Sequence, residues 1–381
     1  MTANAKLRSE ERSVNMNFAA IPFVVSVLIC IATSAAGQDA GSNTEIRSNP
    51  DIRKDAVSKK AAGAYSEIQS APSETGATVT ALAFNGDASI LARGQSDGTL
   101  VAHNIGKDER AWRVRLEGVT DMLSIPEADA LAVFSGTSER SGDIKLFDWQ
   151  TGEQFGRVGP YAGGRNGFSL HRSTGTLAFI SAGNQIDLVD LKSSKLLAPI
   201  QTDHDESICS IAFNHDATKL YVGSESGVIT AISMGQTPRE SVTLFDASSR
   251  IMDLKVQPGV GTVIAAGCKN GTIHLYNDDD KAEKPHITRL SYSSISKFHF
   301  SPLHPDVLIV GTQALSFVDC TTGERLVDDM LLSDNPGSVW GFAISDDGSH
   351  MATGHRRGQT CEFRNSGFQV FASEIVKGFK D

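Results

Sequence analysis

From Thr78 onward the chain restates one phrase about every 43 residues: an apolar strand, a polar turn, a second apolar strand closing on glycine, a further turn and a third, alternating strand. The closing glycines are Gly94, Gly136, Gly183, Gly223, Gly267, Gly311 and Gly354. A unit of this length is the size of a four-stranded blade rather than of a helix pair, which repeats at about 34 residues. A single unit cannot bury its apolar face, so neighbours must stack on one another. The repeat predicts an all-β chain, a seven-bladed β-propeller of four-stranded antiparallel blades.

The first strand of the unit shows the pattern most clearly, as VTALAF from Val79, ICSIAF from Ile208, IMDLKV from Ile251, ISKFHF from Ile295 and VWGFAI from Val339. Large apolar residues hold its first, fourth and sixth places, and the fourth and sixth share a face because side chains alternate along a strand. The third place is small at Ala81, Ser210 and Gly341, and the fifth at Ala83, Ala212 and Ala343. Small side chains suit the innermost strand, where seven strands crowd around one axis. The turns QSDGT, SESGV, CKNGT and HRRGQ supply glycine where a tight hairpin needs positive φ.

These residues resemble the WD-repeat β-propeller family, through SGDIKLFDWQTGEQ around Asp148, FVDCTTGERLV around Asp319 and the AFNHDATKLYVGSESGVITAI stretch of the fourth repeat. The family's Gly-His pair is essentially absent, its Trp-Asp ending survives only as Phe147-Asp148, Val189-Asp190 and Val318-Asp319, and its hairpin aspartate matches only at Asp97. Blades held mainly by apolar packing are therefore expected. The resemblance implies a closed ring. FQVFA near Phe368 offers a fourth strand for the last blade, and pairing of the two chain ends in one blade is left open.

Ahead of the repeats, Lys6, Arg8 and Arg12 precede an uncharged run through IPFVVSVLICI that ends in TSAAG, the layout of a secretory signal with a cut before Gly37. Residues 1–36 are accordingly a signal peptide or an N-terminal anchor. Residues 37–75 are a polar linker with one short amphipathic helix across Asp51–Ser70, and residues 76–381 are the propeller.

Composition narrows the chemistry. Five cysteines without a Cys-x-x-Cys pair argue against a disulfide framework and a structural zinc site, and Cys209, Cys268, Cys320 and Cys361 read as buried free thiols. A net charge of −10 leaves no basic footprint for nucleic acid. The pairs His299/His304 and His204/His215 lack metal-ligand spacing, and Asp278 to Asp280 read as a solvated turn rather than a calcium loop. No nucleophile elbow, phosphate-cradling loop or Cys/His constellation occurs, so no catalytic, cofactor-binding or metal residue and no cofactor is assigned.

Two groups of residues remain as candidates. The turns after the second strand and the links between blades, where propellers usually make contacts, carry Glu139, Arg140, Tyr161, Arg165, His204, Asp205, Glu225, Lys269, His355, Arg356 and Arg357. On the inner strands, the small third and fifth places become Asp253 and Lys255 in blade five and Lys297 and His299 in blade six. This cluster reads first as inter-blade ion pairs or a wet channel lining, and second as a site for an anionic ligand. The expected function is a non-catalytic interaction scaffold for a protein or peptide partner, secreted or in the periplasm or cell envelope, and touching the membrane only through an uncleaved N-terminal segment. The alternatives are a lactonase-like hydrolase or quinone-dependent dehydrogenase working in the central channel, and a purely structural envelope protein.

Overall fold

The computed structural model describes residues 13–16 and 65–365, apart from 73–74, 108, 139–140, 163–165, 182–183, 236–238, 260–261, 281–283, 296, 327–329 and 332–336. The described residues form seven antiparallel sheets, each ordered from an inner to an outer strand. Blade one is Val79–Phe84, Ile90–Gln95, Thr99–Asn104 and Arg110–Arg115; blade two is Val119–Ile125, Ala130–Ser138, Ser141–Asp148 and Gln154–Tyr161. Blade three is Phe168–His171, Thr176–Ile180, Gln185–Asp190 and Lys195–Gln201; blade four is Ile208–Phe213, Lys219–Ser224, Val228–Ser233 and Ser241–Asp246. Blade five is Ile251–Val256, Val263–Cys268, Thr272–Asn277 and His286–Arg289; blade six is Lys297–Phe300, Val307–Gly311, Ala314–Asp319 and Met330–Leu331. Blade seven takes Val339–Ile344, His350–His355 and Gln359–Asn365 from the end of the chain and Tyr65–Pro72 from its beginning.

That last strand revises the sequence reading. Tyr65–Pro72 pairs antiparallel with Gln359–Asn365, from Tyr65↔Asn365 to Pro72↔Gln359, so the propeller starts at Tyr65 and the linker is correspondingly shorter. Residues 65–70 of the expected amphipathic helix are thus strand. Ile68 and Tyr65 fit a helical spacing in isolation, but the unpaired edge of the last three-stranded sheet offers a backbone ladder that the local spacing does not reveal. FQVFA near Phe368 lies outside the described residues. Ser13–Met16, within the stretch read as an export signal, pairs with Gly156–Gly159 as a fifth strand on blade two.

The core lies between blades. Among the described residues, seven apolar clusters each span two adjacent sheets, for example Leu82, Phe84 and Leu91 with Ala343 and Ala352 at the junction of blades seven and one. The fourth and sixth places of the inner strand, such as Phe298 and Phe300, pack on the preceding blade. Gly94, Gly223, Gly267, Gly311 and Gly354, which close second strands, receive the first-place residue of the following blade. A Cβ on Gly354 would stand 2.4 Å from Val79 Cγ1, and one on Gly223 would stand 2.8 Å from Ile251 Cγ2. A side chain there would hold the blades apart.

Polar residues inherited from the repeat act locally. Asp148 Oδ1 accepts the amides of Gln150 and Thr151, and Asp319 Oδ1 accepts those of Thr321 and Thr322, so these aspartates close the turn after the third strand. Asp278 departs from its expected solvated turn. It is buried, paired with Lys219 of blade four, and accepts a hydrogen bond from the Tyr221 hydroxyl at 2.8 Å. The four cysteines of the propeller are buried and free, and burial pushes the Cys268 thiol up to about 11.

Candidate functional site

Inner strands run from the face that carries the inter-blade links to the face that carries the turns after the first strand. Third-place side chains therefore form a layer near the first face, and fifth-place side chains the next layer along the axis. In blade two the pattern reads VTDMLSI, which puts Asp121 at the third place. Its sixth place is Ser124 rather than a large apolar residue, so this strand departs from the five whose pattern aligns. Lining up VTDMLSI with IMDLKV would have exposed Asp121 beside its counterpart Asp253.

The third-place layer is a polar network that crosses the axis. Lys297 Nζ of blade six donates to Asp121 Oδ2 of blade two at 2.7 Å and to Asn166 Oδ1, just ahead of blade three, at 2.7 Å. Asn166 has a left-handed backbone, φ 61°, a region in which asparagine is among the more frequent non-glycine residues. Its amide donates to Asp121 Oδ2 at 3.2 Å, its Nδ2 to the Met252 carbonyl of blade five at 2.8 Å, and its carbonyl accepts the Ile211 amide of blade four at 3.3 Å. One asparagine thus joins four other blades. Asp121, Asn166, Asp253 and Lys297 are all buried, which closes the axis at this layer.

Electrostatics differ between the two aspartates. Burial alone would raise the Asp121 carboxyl, but the charge and hydrogen bond of Lys297 outweigh it and hold the group below its ordinary value. Asp253 is fully buried, and burial outweighs the attraction of Lys255 and Lys297, so its carboxyl is raised. Its Oδ1 accepts the Leu254 amide at 3.0 Å and stands 3.6 Å from Lys255 Nζ, while Oδ2 has no hydrogen-bond partner among the described residues. His299 Nε2 lies 3.3 Å from the Phe342 carbonyl. Burial, followed by the nearby Lys255 and Lys297 charges, depresses this imidazole to about 3, so it is neutral.

Beyond this floor the axis opens into a cavity of about 620 Å³. Lys255 and His299 reach it from the fifth places, and its mouth lies among the turns that follow the inner strands, at Arg172, Pro258, Pro302 and Asp346. Arg172 of blade three and Asp346 of blade seven form a bidentate ion pair across that mouth, at 2.7 and 2.8 Å. The four residues expected to converge do so, with Lys297 committed to Asp121 and Asn166, and Lys255 turned to the cavity.

The rim candidates separate. Asp205, Lys269, Arg356 and Arg357 are exposed, and Glu225 is half-buried with its carboxylate 3.7 Å from Arg250. Tyr161 is buried against Phe134, with ring centroids 4.9 Å apart, and burial raises its phenol. His355 is fully buried between Thr353 Oγ1 at 2.8 Å and the Gly337 carbonyl at 3.0 Å. His204 is half-buried and bonds Thr230 Oγ1 at 2.9 Å, bracing blade four. Tyr161 and His355 are therefore core residues and not contact residues. A position in a link or turn says which face a residue is on but not whether its side chain points out. Glu139, Arg140 and Arg165 lie outside the described residues.

One residue of this face was missed. Tyr292, in the link from blade five to blade six, is 99% exposed. The link wraps the turn that carries Lys269, since the Leu290 and Ser291 amides both donate to the Gly271 carbonyl. Among the described residues, exposed charges of both signs lie on this face. Asp203, Asp205 and Glu206 border a hollow of about 400 Å³ at blade four, whereas Lys269, Arg356 and Arg357 lie on blades five and seven. Among the described residues there is no group of three or more His, Cys, Asp or Glu side chains placed to hold a metal.

A family model described as "WD domain, G-beta repeat" matches residues 197–230. The match begins in the outer strand of blade three and ends in the third strand of blade four, so the sequence unit straddles two blades. No curated protein matches the chain.

Proposed function

We propose that this seven-bladed WD-repeat propeller is a non-catalytic platform that binds a protein or peptide on the face carrying the inter-blade links, outside the cytoplasm. The observation that carries the proposal is Tyr292, a wholly exposed aromatic on a link whose backbone is pinned to the Lys269 turn. Tyrosine and arginine are the residue types that anchor interfaces, and a rigid backbone spares the ordering cost of binding. Arg356 and Arg357 on one side and Asp203, Asp205 and Glu206 on the other would orient a partner of complementary charge.

WD-repeat propellers are typically non-catalytic, and the axial charges here support that reading. Lys297 and Arg172 are engaged in charge pairs, and His299 is neutral against a carbonyl. Placement outside the cytoplasm rests on the N-terminal sequence. Protease added to intact native cells or spheroplasts checks it, with digestion of the propeller as the expected result and protection as the contrary one, while N-terminal sequencing separates a cut before Gly37 from an uncleaved anchor.

The contact face is tested by replacing Tyr292 or Arg356 with a photoreactive phenylalanine analogue in the native cell, with Leu303 on the opposite face as control. A discrete adduct from Tyr292 and Arg356, lost when Lys269 and Arg357 are changed to Glu, is the expected outcome. Adducts from Leu303 alone, or none from either face position, overturn the proposal.

A further inference from the structure

The axial cavity carries one cation that its own surroundings leave under-satisfied. Of the ionised groups that line it, Asp121 and Lys297 neutralise each other at 2.7 Å, and Arg172 and Asp346 do so through two hydrogen bonds. Lys255 is different. Its ammonium stands 3.6 Å from Asp253 Oδ1, beyond hydrogen-bond length, and its side chain is 34% exposed. Asp253 itself is sealed in the third-place layer, and its Oδ1 already accepts the Leu254 amide.

The lining around Lys255 is mixed, with Leu123 and Phe168 beside Ser124, Asn166, His299 and Ser345. A volume of about 620 Å³ lies in the range of small-molecule pockets, which combine apolar walls with a few placed polar groups. The geometry points to a binding site for a small organic monocarboxylate, its carboxylate on Lys255 Nζ and its body in the half-apolar space of the cavity beyond. A single ammonium whose one ion-pair partner, Asp253, stands beyond hydrogen-bond length decides the class of ligand. A phosphate dianion would need a second cation, and Lys297 and Arg172 could supply it only by abandoning Asp121 and Asp346, leaving a carboxylate unpaired. A neutral apolar ligand would leave the ammonium facing hydrocarbon without compensation.

This site lies at the turns after the first strands, opposite the face of Tyr292, so its test is independent of the platform reading. Titration calorimetry with 4-phenylbutyrate, 4-phenylbutanol and 4-phenylbutylamine on the full chain compares one body with three charges. The carboxylate is expected to bind about tenfold or more tighter than the alcohol, with the amine weakest. Lys255→Met should abolish the preference for the carboxylate and Lys255→Arg should keep it; because Lys255→Met also removes the cation beside buried Asp253, the double change Lys255→Met with Asp253→Asn is the folded control and should lose the preference as well. Equal binding of acid and alcohol, a preference that survives Lys255→Met, or no binding of the acid at about 10 mM would each overturn the assignment.

Discussion

Lys297 Nζ and Asp121 Oδ2 meet at 2.7 Å across the propeller axis, although 176 residues separate them in the chain. Blade six and blade two are not neighbours in the ring, so this contact braces the assembled circle rather than any one blade interface. Both side chains are almost fully buried, at 7% and 6% exposure, and solvent does not screen the pair.

Lys297→Met should therefore cost about 3–5 kcal/mol, the range for removing one member of a buried ion pair and stranding the other. Changing Asp121 to Leu in the same chain should return much of that loss, because the stranded charge then disappears. Urea unfolding of the two single variants and the double variant gives the coupling. Losses that simply add would show that the pair does not act as a unit.

The two axial aspartates should respond to pH in opposite directions. The folded-state value of Asp121 is depressed, so its contribution is complete above the unfolded value of about 3.9 and is lost as pH falls through the folded value. The folded-state value of Asp253 is raised despite Lys255 and Lys297, with Asp121 opposing, so it weakens the fold as pH rises from about 3.9 through that value. Asp253→Asn should stabilise the protein at pH 7 by on the order of 1 kcal/mol, since a fully buried charge is removed while the side-chain shape is kept. The gain should vanish below about pH 4. Unfolding curves across this range check both signs.

Gly354→Ala should destabilise the junction where the ring closes. The new methyl would meet Val79 Cγ1 at 2.4 Å and Val79 Cβ at 2.8 Å, and overpacking of this kind costs about 1–3 kcal/mol. Combining it with Val79→Ala should recover part of the loss. Equal destabilisation with and without the second change would mean that backbone conformation, and not this contact, requires glycine.

Truncation separates linker from propeller. Removing residues 1–64 should leave a folded ring, whereas removing 1–74 takes away the outer strand of blade seven and exposes the Gln359–Asn365 edge. The longer truncation should lower the thermal midpoint by several degrees and promote association, as read by calorimetry and light scattering. Equal stability of the two truncated chains would return Tyr65–Pro72 to the linker.

Much of the architecture was legible because it is periodic and local. Places four and six of each inner strand had to face one way, and Leu82, Phe84, Phe298 and Phe300 do pack on the preceding blade. The small third and fifth places pointed to the axis, and the exceptions Asp253, Lys255, Lys297 and His299 pointed to a polar cluster there. The rim was less legible. His355 and Tyr161 occupy the expected turn and strand end, yet strand alternation and Thr353, Gly337 and Phe134 draw them inward, while Tyr292 stands free in a link with no motif of its own.

The sequence by itself determined seven blades and, in the five inner strands that align, the layer in which each side chain sits, because these follow from alternation within about 43 residues. Only the tertiary structure decided that Lys297 finds Asp121, that Asn166 joins four other blades, and that Tyr65–Pro72 completes the last sheet. Each of these contacts depends on the angle at which blades follow one another around the axis. That angle arises from packing between sheets and brings residues together without regard to their separation in the chain.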